Sequence, residues 1–162
     1  MIGMLSMGSL LIAKPSPIQI DKLLKYTFPS VDSVEKKMLV LSKEETKTIS
    51  KQVRAKVDGT IYRGYIAKDK EIVVGYGVVV SQKVRTKKAV VLYVFDKNVT
   101  LQAMDILSFL EPHEYKPSSA WQRLFVDSSG ESCTVITGAT MSARMITQTA
   151  KIAKGVVEMK LR

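Results

Sequence analysis

Between Ile61 and Phe109 the chain passes through four runs rich in valine and tyrosine, and no other stretch limits its fold as much. The runs are Tyr62 to Ala67, Ile72 to Ser81, Lys88 to Phe95 and Val99 to Phe109. Branched and aromatic side chains of this kind suit a pleated, half-buried surface. Asp69-Lys70 and Asp96-Lys97-Asn98 supply turn chemistry between runs, so consecutive strands can pair as an antiparallel meander. In the last run Val99, Leu101, Ala103, Leu107 and Phe109 recur at period two, which predicts one half-buried face interrupted by Asp105. Gly75 and Gly77 flank Tyr76 inside a strand, where a bulge, a close ligand or a packing need would each place a glycine.

A sheet with one apolar face needs a cover. Met145, Ile146, Thr149, Ile152, Ala153, Val156 and Val157 recur every three or four residues, so the spacing predicts a helix from about Met141 to Met159 that lies on the sheet. Two further helices are expected near the N-terminus. Ser16-Pro17-Ile18-Gln19 combines an N-cap serine, a proline at the first helical position and a glutamine three residues on; Ile20, Leu23, Leu24 and Phe28 line one face, and Phe28-Pro29 ends it. Ser42-Lys43-Glu44-Glu45 is a second capping box, opening a polar surface helix to about Lys56 with Ile49 and Val53 on one face. The expected class is therefore α+β: an antiparallel sheet of four or more strands packed on a C-terminal helix, preceded by helices and interrupted by a long loop from Phe109 to Phe125.

The chain has 162 residues, enough for one core. Residues 14–162 are read as a single domain. Met1 to Ala13 carries no charge and is too short to span a bilayer, so it reads as a signal-peptide remnant or an apolar arm. With one cysteine, Cys133, and one histidine, His113, a Cys/His zinc site and an internal disulfide are excluded, and the lack of a G-x-S-x-G elbow argues against a Ser-His-Asp hydrolase. Lys and Arg number 25 against 15 acidic residues, a net charge of +10 that favours acidic partners. The one dense stretch, Lys83-Val84-Arg85-Thr86-Lys87-Lys88, reads either as an anion site or as a solvated hairpin tip.

Chemistry concentrates at the start of the last helix. Thr137-Gly138-Ala139-Thr140-Met141-Ser142 places small residues and three hydroxyls where first-turn amides and the helix dipole attract a phosphate, although such a turn also serves ordinary capping. Together with Ala143-Arg144 and the amphipathic helix that follows, the string resembles the signature of the FMN-binding domain family, which includes the flavinylated subunits of sodium-pumping NADH:quinone oxidoreductases and of Rnf-type complexes. The loop Glu111-Pro112-His113-Glu114-Tyr115-Lys116-Pro117, followed by Trp121 and Phe125, is similar to one branch of that family. The likeness spans about the last hundred residues.

The resemblance implies an FMN-binding electron-transfer protein outside the cytoplasm, periplasmic in setting, rather than a stand-alone enzyme. Thr137, Gly138, Ala139, Thr140, Met141 and Ser142 would hold the cofactor, with Thr140 as the residue that can carry FMN through a phosphoester. Tyr115 and Trp121 would flank the isoalloxazine, and Glu111 would meet its polar edge. Flavinylated members place an aspartate where this chain has Thr134, so both covalent and non-covalent FMN are expected forms. The implied partners are an acidic redox protein, a flavin transferase and a membrane-associated electron-transfer complex, with no nucleic acid. The alternative is a basic, cofactor-free module that binds nucleic acid or anionic surfaces, which accounts for the charge but not for the turn and the aromatic loop.

Overall fold

A computed structural model of the chain describes residues 16–131 and 139–162. All four valine-rich runs contain strands: β2 (Ile61–Asp69), β3 (Ile72–Lys83), β4 (Lys88–Asp96) and β5 (Leu101–Phe109), the last starting after Val99, which is left-handed at φ 62° in the turn. A further strand, β1 (Ser33–Val40), precedes them, and the five form one antiparallel meander in the order β1-β2-β3-β4-β5. The expected α+β class holds, with helices α1 (Pro17–Thr27), α2 (Lys43–Val53), α3 (Ser119–Asp127) and α4 (Thr140–Lys160).

Helices cover both faces of the sheet. On one side α4, with α2 and α3, packs on Tyr62, Ile66, Val78, Val80, Val91 and Tyr93. On the other side Ile20 and Leu24 of α1 meet Tyr65, Ala67, Val79, Leu92 and Val94. Threonines and β-branched residues make α4 a mediocre helix former, with propensity penalties of up to ~0.7 kcal/mol per residue. Burial outweighs them: Ile146, Val156 and Val157 are fully buried, each worth roughly 1.5–3 kcal/mol. The register of α4 on the sheet is fixed by Tyr93, whose hydroxyl donates to the Ile146 carbonyl (2.9 Å) and meets Thr149 Oγ1 at 2.6 Å. Complete burial raises the phenol pKa, so the hydroxyl keeps its proton and can donate.

Several expectations need correction. The period-two face of β5 does not exist, because register shifts interrupt its pairing: Phe95 pairs with Leu101 but Val94 with Ala103, and a second shift falls between Val90 and Val91. Each extra residue turns the strand over. Leu101 and Phe109 therefore join the core under α4, while Ala103 and Leu107 face the α1 side. The α2 capping box forms in full, but the helix stops at Val53, with Arg54 left-handed at φ 53°. Nor is α2 merely a surface helix, since Ile49 is completely buried against Gly155 of α4. Ser16 lies at the N-cap of α1 without a side-chain capping bond. Of the readings open for Gly75, packing and a bulge both hold: a Cβ there would strike the Phe28 ring and come within 2.7 Å of the Phe95 carbonyl oxygen, and a register shift between Ala67 and Lys68 leaves Val74 unpaired beside it. Finally, the loop before α4 contains a helix, because Ser118 caps α3 through the Trp121 amide.

Candidate functional site

The site lies where the β3–β4 hairpin tip, the segment after β5 and the first turn of α4 meet. Strands β3 and β4 stay paired to Lys83 and Lys88, and the Val84 amide bonds to the Lys87 carbonyl at 2.9 Å. The tip between them turns its amides inward onto one carboxylate. Glu111 Oε1 accepts from the amides of Arg85 (3.1 Å), Thr86 (2.6 Å) and Lys87 (2.8 Å). Only 7% of Glu111 is exposed, and such burial of a charge is tolerable because those donors replace water. The amides of Lys87 and Thr86 above all, then that of Arg85, hold the carboxyl below its ordinary value.

Beyond Glu111 the chain makes a single 3₁₀ turn, His113–Tyr115, which brings Tyr115 under the tip. The Arg85 guanidinium carbon lies 4.4 Å from the centre of the Tyr115 ring. Arg85 and Tyr115 form one wall of a cleft of about 300 Å³, and Thr140, Met141 and Ser142 form the other.

That second wall is the beginning of α4. Its cap residue, Ala139, offers no side-chain oxygen, and its first turn holds no acidic residue. Among the described residues the first rung of the α4 ladder is the Ala143 amide on the Ala139 carbonyl, and the Met141 and Ser142 amides precede it. Ser142 Oγ is buried, with no hydrogen-bond partner among the described residues. A hydroxyl left in that state costs about 1–3 kcal/mol. Thr140 is half-buried and also lines a second cleft, of about 380 Å³, walled by Val53, Trp121, Ala143, Arg144, Gln148 and Lys151.

The structure thus brings Thr140, Met141, Ser142 and Tyr115 together and sets Trp121 beside Thr140 in the adjoining cleft. Trp121 is almost wholly buried, its ring parallel to Phe125 at 5.1 Å, so only part of it borders the cleft. Glu111 lines neither cleft; its carboxylate faces the hairpin. Ala139 caps α4, while Thr137, Gly138, Thr134 and Cys133 lie outside the described residues. His113 is exposed. Sequence reading missed Arg85 as a partner of the motif, and Lys151 as a wall residue. The basic run was a partial signal for Arg85, but nothing local ties position 85 to position 140. Among the described residues, no cluster of His, Cys, Asp and Glu could hold a metal, and no helix is long and apolar enough to cross a membrane.

Comparison with family models, with curated proteins and with solved structures finds no match to this chain.

Proposed function

We propose that the protein is an FMN-binding electron carrier. The observation behind this reading is the buried Ser142 hydroxyl, which lacks a partner among the described residues and stands in a cleft shared with Arg85, Tyr115 and the first turn of α4. A phosphate there would satisfy Ser142 Oγ, meet the Met141 and Ser142 amides and lie within the field of the α4 dipole. The neighbouring cleft fits a flat ring with polar edges: Val53, Trp121 and Ala143 give it apolar walls, and Arg144, Gln148 and Lys151 supply donors. Its size is within the range of small-molecule sites.

When bound, FMN supplies two-electron acceptance and one-electron release. The chain's own residues bind and orient it, and the basic surface steers an acidic redox partner. Thr140, which lines both clefts, is the residue placed to carry a phosphoester installed by a flavin transferase; otherwise the same residues hold a dissociable cofactor. The setting we propose is periplasmic or otherwise extracytoplasmic, in contact with a membrane-associated electron-transfer complex.

Flavin fluorescence tests the reading directly. Titrating FMN with micromolar folded protein should quench its emission, and an absence of quenching would overturn the proposal. Coexpression with a matching transferase should yield a species heavier by one FMN less water, lost in Thr140→Ala; FMN binding without that adduct would leave the dissociable form.

A further inference from the structure

The β3–β4 hairpin tip packs Val84 against the core and fastens three of its amides to a buried carboxylate. That carboxylate, Glu111, comes from more than twenty residues away in sequence. The fastening does have a geometric consequence. It fixes the backbone at Arg85, and the Tyr115 face then orients the guanidinium. Arg85 is exposed yet borders the cleft opposite Thr140, Met141 and Ser142.

We propose that Arg85 is the phosphate clamp of this site and that Glu111 is its positioning residue, so that the cleft selects a phosphomonoester dianion over the corresponding uncharged alcohol. This rests on the FMN reading for the identity of the ligand, but not for the anion chemistry. Residues that line the cleft carry three kinds of donor: the first-turn amides of α4, the buried Ser142 hydroxyl and the planar fork of Arg85. The fork geometry matches phosphate oxygens bidentately, and a charge-assisted pair of this kind is about twice as strong as a neutral one. Glu111 touches no ligand. With its carboxylate on the turn amides, it holds the tip in the one conformation that presents Arg85.

One ligand pair and inorganic phosphate test this on the full chain. FMN and riboflavin differ only in the phosphate, so the ratio of their dissociation constants reads the clamp. Arg85→Gln should weaken FMN about tenfold or more and leave riboflavin unchanged. Arg85→Lys should recover part of that loss. Glu111→Gln should lower the FMN-to-riboflavin preference as well, whereas a merely structural role would weaken both ligands alike or neither. Inorganic phosphate, followed by amide NMR shifts at Met141 and Ser142, gives the second readout: the shifts should saturate in the parent and need higher phosphate in Arg85→Gln. Phosphate binding that depends on Arg85 without any FMN binding would sink the FMN reading and keep the clamp. No phosphate response in the parent, or one indifferent to Arg85→Gln, would overturn the clamp even if FMN binds. Arg85 is exposed, so its variants fold whether or not Glu111→Gln does.

Discussion

Ser142 and Tyr93 place hydroxyls in the same core with opposite results. Tyr93 satisfies its hydroxyl on α4, and Tyr93→Phe should cost about 1–2 kcal/mol in urea unfolding, because the Ile146 carbonyl and Thr149 lose a partner inside the core. Ser142 leaves its hydroxyl without a partner among the described residues. Ser142→Ala should therefore hold or raise the melting temperature of the ligand-free protein while weakening FMN, since the methyl removes a desolvated polar atom and a ligand donor at once. A fall in melting temperature with FMN affinity unchanged would contradict that assignment. Gly75 adds a steric case. Gly75→Ala should destabilise by about 1–3 kcal/mol in the same assay, because neither the Phe28 ring nor the Phe95 carbonyl can withdraw without disturbing α1 or the β3–β4 ladder.

Among the elements, α4 carries both the fold and the site, and it is anchored at several points. Tyr93 fixes its middle, and Lys160 Nζ contacts Glu45 Oε1 at 2.7 Å near its end. The same Glu45 closes the α2 capping box by accepting from the Ser42 amide at 2.7 Å, while Ser42 Oγ accepts from the Glu45 amide. Ser42→Ala should thus cost about 1 kcal/mol and leave FMN affinity unaltered, because Ser42 caps the end of α2 that meets Lys160, while Val53 at the opposite end of α2 lines the cleft. A loss of FMN binding in that variant would show that α2 sets the cleft. The hairpin is the second element that matters to the site, and its tip conformation is imposed by Glu111 from outside.

For the molecule as a whole, pH and salt act through separate groups. The folded carboxyl of Glu111 ionises below its ordinary value of 4.5, so its contribution to stability is present above that value and is lost as the pH falls through the lower, folded one. Unfolding free energy should fall with acid in that window in the parent, and the slope should be shallower in Glu111→Gln. Salt acts on the net charge of +10. Raising it toward about 1 M, where screening shortens to about 3 Å, should weaken FMN and leave riboflavin nearly unchanged, as measured by fluorescence titration.

Much of this was legible in the sequence because periodicity is local. Valine-rich runs with turn residues between them dictate strands and their order, and an apolar stripe at helical spacing dictates α4 and which of its faces is buried. The Ser42 capping box needed no tertiary context either. β1 escaped because an edge strand with glutamate, two lysines and mostly exposed positions has no apolar alternation. α3 escaped because nine residues carry too short a stripe to separate a helix from a loop anchor. The bulges of β5 were invisible for a different reason: they are set by what β4 offers opposite, so the face given to Ala103 and Leu107 is a property of the pair. At the site, the sequence by itself determined a small-residue helix start with hydroxyls. The partners of that start were decided only by tertiary structure. Arg85, the segment carrying Glu111 and Tyr115, and Ser142 belong to three separate parts of the chain, and only the meander's register and the docking of α4 bring them to one place.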